Sequence, residues 1–224
     1  MIKILFQGDS ITDVNRFKDP ELRWDLNHQI GHSYAFIVAG KLGLENLGKY
    51  TFVNRGVSGD CVHTIAKRWQ KDTIEENPDV LSILLGINGN GNRDGKYEEG
   101  AENHLVKFER EYKELLTSAR QANPNLKLII IEPFALPVGE LKAHYDEFMA
   151  IFVRKQAIVK KIAEEFNAAF IPVQKRLEGL VEKVKEQGYE GDCNAYWLWD
   201  GVHATEPMHA FMAGLWLDAF NKIM

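Results

Sequence analysis

An α/β fold, a parallel sheet covered by helices on both faces, is what this 224-residue sequence predicts. Five short runs rich in Ile, Leu, Val and Phe lack polar alternation, as strands buried on both faces require. Stretches with apolar residues at helical spacing fill the gaps between them, the βα alternation of parallel sheets. The chain is 45% hydrophobic and 26% charged, long enough for one well-buried core and short for two. No repeat, low-complexity linker or composition break divides it, so a single domain over 1–224 is expected.

The strands expected in order are Ile2 to Phe6, Thr51 to Val53, Val80 to Leu85, Leu126 to Ile131 and Ala169 to Val173. Helical patterns run from Ser33 to Leu44, Asn103 to Asn123, Phe148 to Phe166 and Lys175 to Gln187. The last helix has the clearest signature. Thr205 stands as its N-cap with Glu206 and Pro207 in the first turn, and Met208, Phe211, Met212, Leu215, Trp216, Ala219, Phe220 and Ile223 form one stripe.

Composition narrows the function classes. The net charge of −5 and pI of about 5.8 leave no basic surface for a phosphate backbone, so nucleic acid is not an expected partner. No apolar run reaches the roughly 18 residues of a membrane span and MIKILFQGDS is not a secretory leader, so a cytoplasmic protein without membrane contact is expected. Cys61 and Cys193 lack metal-ligand spacing and are expected to be free thiols. No cofactor or metal is expected, and the sequence leaves assembly as a homo-oligomer open.

Ligands of open parallel sheets bind beyond the carboxyl ends of the strands. Three consecutive strands end there in small polar segments: GDSITD after the first, NRGVSGD at 54–60 and GINGNGN at 86–92. The first brings a hydroxyl, Ser10. The second brings glycines whose N–H groups can approach a ligand closely, and the third brings the Asn88 amide. Gly, Asp and Ser are also what any turn uses, so the distinction rests on a base. A serine is a weak nucleophile until a histidine, held by a carboxylate, accepts its proton. Of seven histidines, His28, His32, His63, His104 and His144 lie in polar or helical settings, and His209, early in the last helix, reads as a packing or capping residue. His203 stands three residues after Asp200 in WLWDGVHATEP, where one tight turn can bring the carboxylate to Nδ1 and leave Nε2 for Ser10.

These blocks resemble those of the SGNH, or GDSL, hydrolases: Gly8-Asp9-Ser10, Asn54 through Gly59, Gly86-Ile87-Asn88-Gly89 and Asp200-Gly201-Val202-His203, in family order along nearly the whole chain. The resemblance implies a three-layer α/β/α sandwich with a five-stranded, flavodoxin-like parallel sheet. It implies Ser10 as nucleophile, His203 as general base and then acid, and Asp200 as the group orienting His203. The oxyanion hole would be the Ser10 N–H, the Gly59 N–H and the Asn88 side chain. Asp9 and Trp199 are the residues placed near the substrate, Asp9 chiefly as a turn residue bonding backbone N–H groups and Trp199 as an aromatic wall. Two positions depart from the family pattern. Gly89 replaces the Asp that usually follows Asn88, so another group must hold that amide, and Ala204 replaces a frequent Pro, which removes some rigidity.

Within the family, VNRGVSGD, KRWQKDTIEENPDVLSILLGIN and WLWDGVH are similar to the branch of carbohydrate acetylesterases acting on acetylated xylan or xylo-oligosaccharides. A small-molecule or oligosaccharide ester is then the expected substrate. The polar segment 14–32 argues against a lipid groove, and Trp197, Leu198 and Trp199 are expected to close a short acyl pocket. Competing readings are a lysophospholipase, thioesterase or arylesterase of the same family, and a flavodoxin-like anion binder or carbohydrate-binding module. GNGNRDGK at 89–96 is no phosphate-binding P-loop, and G-V-S-G followed by Asp60 is no α/β-hydrolase elbow, so Ser58 yields to Ser10.

Overall fold

A computed structural model describes residues 1–18, 29–89 and 101–224. The elements are β1 (Ile2–Gly8), α1 (Ser10–Asp13), α2 (Tyr34–Glu45), β2 (Tyr50–Asn54), α3 (Val62–Ala66), β3 (Val80–Leu84), α4 (Ala101–Ala122), β4 (Lys127–Ile131), α5 (Tyr145–Glu165), β5 (Ala169–Ile171), α6 (Gln174–Glu186) and α7 (Glu206–Ile223). A π turn over Gln70–Ile74 and a 3-10 turn over Gly139–His144 complete the described residues. All strand pairings are parallel, in the order β2-β1-β3-β4-β5.

The strands form because alternate residues feed two cores. Ile4 and Phe6 of β1, Val80 and Leu84 of β3 and Ile129 and Ile131 of β4 pack toward α2 and α7. Leu5, Leu81, Ile83, Leu128 and Ile130 pack toward α3, α4 and α5. With both faces of the central strands buried the runs are mostly apolar, and each fully buried apolar side chain contributes about 1.5–3 kcal/mol of transfer free energy. In the first core Trp216 of α7 is fully buried, stacks on Phe220 and donates its indole N–H to Ser82 Oγ at 2.9 Å.

The chain leaves β1 for the edge strand β2 and then crosses back to β3 on the other side of β1. Such a reversal opens a crevice at the carboxyl ends of β1 and β3. Gly8, at the end of β1, is required by close approach: a Cβ there would lie 2.4 Å from Thr12 Oγ1 and 2.7 Å from the Leu84 carbonyl oxygen.

Boundaries lie within three residues of expectation, β5 stopping at Ile171, two residues short of Val173. Ser33 caps α2 through a bond from the Ala35 N–H to its hydroxyl. Thr205 occupies the N-cap position of α7 but does not cap it with its side chain; its hydroxyl bonds the Tyr196 and Trp197 carbonyls at 2.8 and 3.0 Å. Glu206 and Pro207 in the first turn are left to start the helix. Cys61 and Cys193 are free thiols. Among the described residues, no helix is long and apolar enough to cross a membrane and no group of three or more potential ligands could hold a metal ion.

Candidate active site

Ser10 opens α1 immediately after β1, and its Oγ lies 2.8 Å from His203 Nε2 across 193 positions of chain. On the other side of the ring, His203 Nδ1 is 2.6 Å from Asp200 Oδ2. The turn between them is built by the same carboxylate. Asp200 Oδ1 accepts the backbone N–H groups of Val202 at 3.1 Å and His203 at 2.8 Å. Burial alone would raise Asp200, but these bonds and the imidazole outweigh it and hold the carboxylate at about 2. It therefore stays ionised through neutral pH, and an ionised carboxylate at Nδ1 fixes the tautomer that leaves Nε2 facing the hydroxyl.

The loop carrying His203 is tied down without the proline usual in the family. Leu198 and Ala204 form an antiparallel bridge, Trp199 N–H bonds the His203 carbonyl at 3.1 Å, and Leu136 N–H bonds the Gly201 carbonyl at 2.9 Å. Trp199 is 63% exposed and stacks on His203 with centroids 5.4 Å apart and planes 18° from parallel. Trp197 and Leu198, expected to close an acyl pocket, are instead buried in the core, whereas Trp199 is exposed.

The segments after β2 and β3 meet Ser10 at the same rim. Asn54, at the end of β2, donates to the Thr12 and Ile30 carbonyls at 2.7 and 2.8 Å and accepts the Gly56 N–H at 2.8 Å. Asp13, the last residue of α1, is buried, and its Oδ2 accepts both the N–H and the hydroxyl of Ser58 at 2.8 Å. The next residue, Gly59, is exposed and has φ +85°, a left-handed conformation that favours glycine. The β2 turn is thus pinned to the helix that carries Ser10.

Asn88 follows β3, and its Nδ2 donates to the Asp60 carbonyl at 3.0 Å. This supplies the orienting group that Gly89 cannot. Asp60 is itself fixed by Arg68, whose Nε lies 2.7 Å from Oδ2. An aspartate at 89 would be strained: φ is +74° there, and an added Cβ would stand 3.1 Å from Cys61 Cβ, which would have to give way. From α5, the buried Lys155 ammonium donates to the carbonyls of Gly86 at 3.0 Å and Asn88 at 3.1 Å.

Asp9, expected near the substrate, is corrected to a residue buried within the turn. It is fully buried, and its Oδ1 accepts the Ile11 N–H at 3.0 Å as an N-cap, the backbone contact its place in the turn suggested. Burial pushes it up to about 7, against the pull of that bond and of His203. His209 is a packing residue, buried, with Nδ1 accepting the Tyr34 N–H at 3.2 Å. His32, His63 and His104 are exposed and His144 half-buried. His28, most of the polar segment 14–32 (residues 19–28) and all but Gly89 of GNGNRDGK lie outside the described residues. Asn54, Asp13, Asp60 and Lys155 escaped the sequence reading as site residues. Asn54 and Asp60 lay inside the NRGVSGD segment without being singled out, and Lys155 left a trace as a lysine inside the apolar stripe of its helix.

Residues 6–211 match the GDSL-like lipase/acylhydrolase family. An acetylxylan esterase of Geobacillus stearothermophilus is 29% identical over 219 residues, covering 96% of this chain and 92% of that protein. A solved structure of that organism's acetylxylan esterase superposes with a TM-score of 0.74 at 28% identity, covering 97% of this chain and 93% of the other. A structure described as a GDSL-like lipase, from Parabacteroides merdae, superposes with a TM-score of 0.81 at 30% identity over 97% and 94%. Fold and relatives define a carboxylic ester hydrolase of the SGNH type. The chain belongs to the GDSL-like lipase/acylhydrolase family, and within it resembles the carbohydrate acetylesterase branch.

Proposed function

We propose that this esterase removes O-acetyl groups from xylose-based oligosaccharides through an acyl-enzyme on Ser10. The observation that carries the reading is the unbroken chain Ser10 Oγ, His203, Asp200 at 2.8 and 2.6 Å on the carboxyl edge of the sheet. Ser10 Oγ attacks the ester carbonyl carbon while His203 Nε2 takes its proton. The tetrahedral oxyanion is met by the Ser10 and Gly59 N–H groups and by the second hydrogen of the Asn88 amide, the first being held by Asp60. Each such donor is worth about 3 kcal/mol. Collapse breaks the bond to the sugar oxygen, which leaves with the proton from His203. Water, deprotonated by His203, then releases acetate and restores Ser10.

Three features favour a sugar acetate. The Geobacillus stearothermophilus protein matched along nearly the whole chain is an acetylxylan esterase. Trp199 offers an exposed indole against the catalytic histidine, the platform on which a sugar ring stacks. A cavity of about 320 Å³ beside Asp200, walled by Ile87, Leu141, Phe148, Trp199 and Val202 with Glu140 at its edge, has the size of a small-molecule site.

Incubation with acetylated xylo-oligosaccharides, 4-nitrophenyl esters from acetate to octanoate and a lysophospholipid tests the reading. Acetate release from the sugars, and kcat/KM falling with acyl length, are expected. Rates climbing with chain length, or no acetate from the sugars, would favour a lipid ester. Ser10→Ala is expected to lose essentially all activity while keeping its melting temperature, and a sulfonyl fluoride to add to Ser10 by mass spectrometry. An adduct on Ser58, or full activity in Ser10→Ala, would overturn the assignment.

A further inference from the structure

The apolar stripe of α5 is interrupted by one cation. Phe148, Phe152, Val159 and Ile162 are buried along this helix, and Lys155 occupies the same stripe with 3% of its surface exposed. A Leu or Met would pack at such a position without the cost of desolvating an ammonium. The side chain crosses the face of Phe108, Nζ 4.7 Å from the ring centroid, and ends between the Gly86 and Asn88 carbonyls. Burial pushes it down to about 8, with Cys61 and Asp9 pulling the other way.

Both carbonyls belong to the segment that carries Asn88, and glycines in left-handed or mirror-extended conformations flank it, Gly86 at φ +138° and Gly89 at φ +74°. Glycine adopts such conformations without strain and has no side chain of its own to hold the backbone. The Asp60 carbonyl fixes the amide end of Asn88, and Lys155 grips its backbone at the other end.

We propose that Lys155 is a positioning residue of the reaction: by clamping the Gly86 and Asn88 carbonyls it holds the Asn88 amide where the oxyanion forms. It acts through Asn88 and does not touch the substrate. The inference rests on the assignment of Asn88 as an oxyanion donor made above.

A double-mutant cycle separates the two. Lys155→Met, Asn88→Ala and the double variant are assayed with 4-nitrophenyl acetate, with thermal melts as the control for folding. Lys155→Met is expected to lose about 10–100-fold in kcat, part of the loss on deleting an oxyanion donor, with KM within about twofold. In the Asn88→Ala background the same change is expected to cost less than about twofold. Lys155→Gln, which keeps an N–H donor group but loses the charge and part of the reach, is expected to fall between wild type and Lys155→Met, and it carries the cycle where Lys155→Met does not fold. A Lys155 variant with unchanged kcat, or one costing as much without Asn88 as with it, overturns the proposal. An Asn88→Ala protein with unchanged kcat overturns the oxyanion assignment itself, and is recognised because that single variant alone shows it.

Discussion

Asp9 and Gly89 show how single positions carry the site's constraints. Asp9 releases its proton at about 7 in the folded protein because burial penalises its charge, and at 3.8 when unperturbed. The folded state therefore binds more protons than the unfolded chain between these values, and stability falls as pH rises through that window. Asp9→Asn removes the titration. Its melting temperature is expected to gain on the wild type between pH 4 and 7, by about 2–4 °C for each kcal/mol, and a gap independent of pH would refute this. Restoring the family's aspartate by Gly89→Asp is expected to lower kcat, since a side chain at φ +74° must push against Cys61 and turn Asn88; an increase in kcat would contradict that account. The contact of Asp200 with His203 was legible in the sequence because the D-x-x-H spacing is itself the turn, and Ser10 was singled out because it stands where a buried strand ends. Lys155, Asp13 and Asp60 were not, because their partners are backbone groups and side chains distant in sequence, which no local pattern encodes.

At the scale of elements, α2 and α7 are joined by one polar clamp, the Tyr34 N–H donating to His209 Nδ1. The first turn of α2 gains a partner for a donor that helix geometry leaves unpaired, and the imidazole must stay neutral to accept it. Burial pushes His209 down to about 4, whereas an unfolded histidine protonates near 6.5. The stability it contributes is complete above about 6.5 and is lost as pH falls toward 4. His209→Asn keeps an acceptor without the titration, so its melting temperature is expected to drop less than the wild type's between pH 7 and pH 4.5; parallel curves would refute the clamp. Long elements were read to within a few residues, because periodicity over many positions outweighs local noise. The short α1 and α3, the π turn at Gln70–Ile74 and the 3-10 turn at Gly139–His144 were not read, since one turn of helix leaves too few residues to show a period. Thr205 illustrates another limit: residue type located the helix start, but tertiary contact claimed the hydroxyl.

For the whole molecule, these two buried groups pull in opposite directions across nearly the same pH range, so their contributions partly offset in the wild type and each single variant leaves the other's slope. The sheet order was predictable once the strand ends shared a family pattern, and periodicity alone reached only the parallel sheet covered on both faces. Ser10 and His203 are 193 positions apart, and α7, which packs against α2 and the β4–β5 side of the sheet, follows directly after His203. During synthesis or refolding, the proposed nucleophile is therefore present long before its proposed base. A nascent chain that has formed β1 through β5 carries an inert alcohol, because proton abstraction waits for the final docking event. Hydrolysis is in this respect a reporter of completed folding, and recovery of turnover should track burial of Trp216 fluorescence rather than the earlier return of secondary structure.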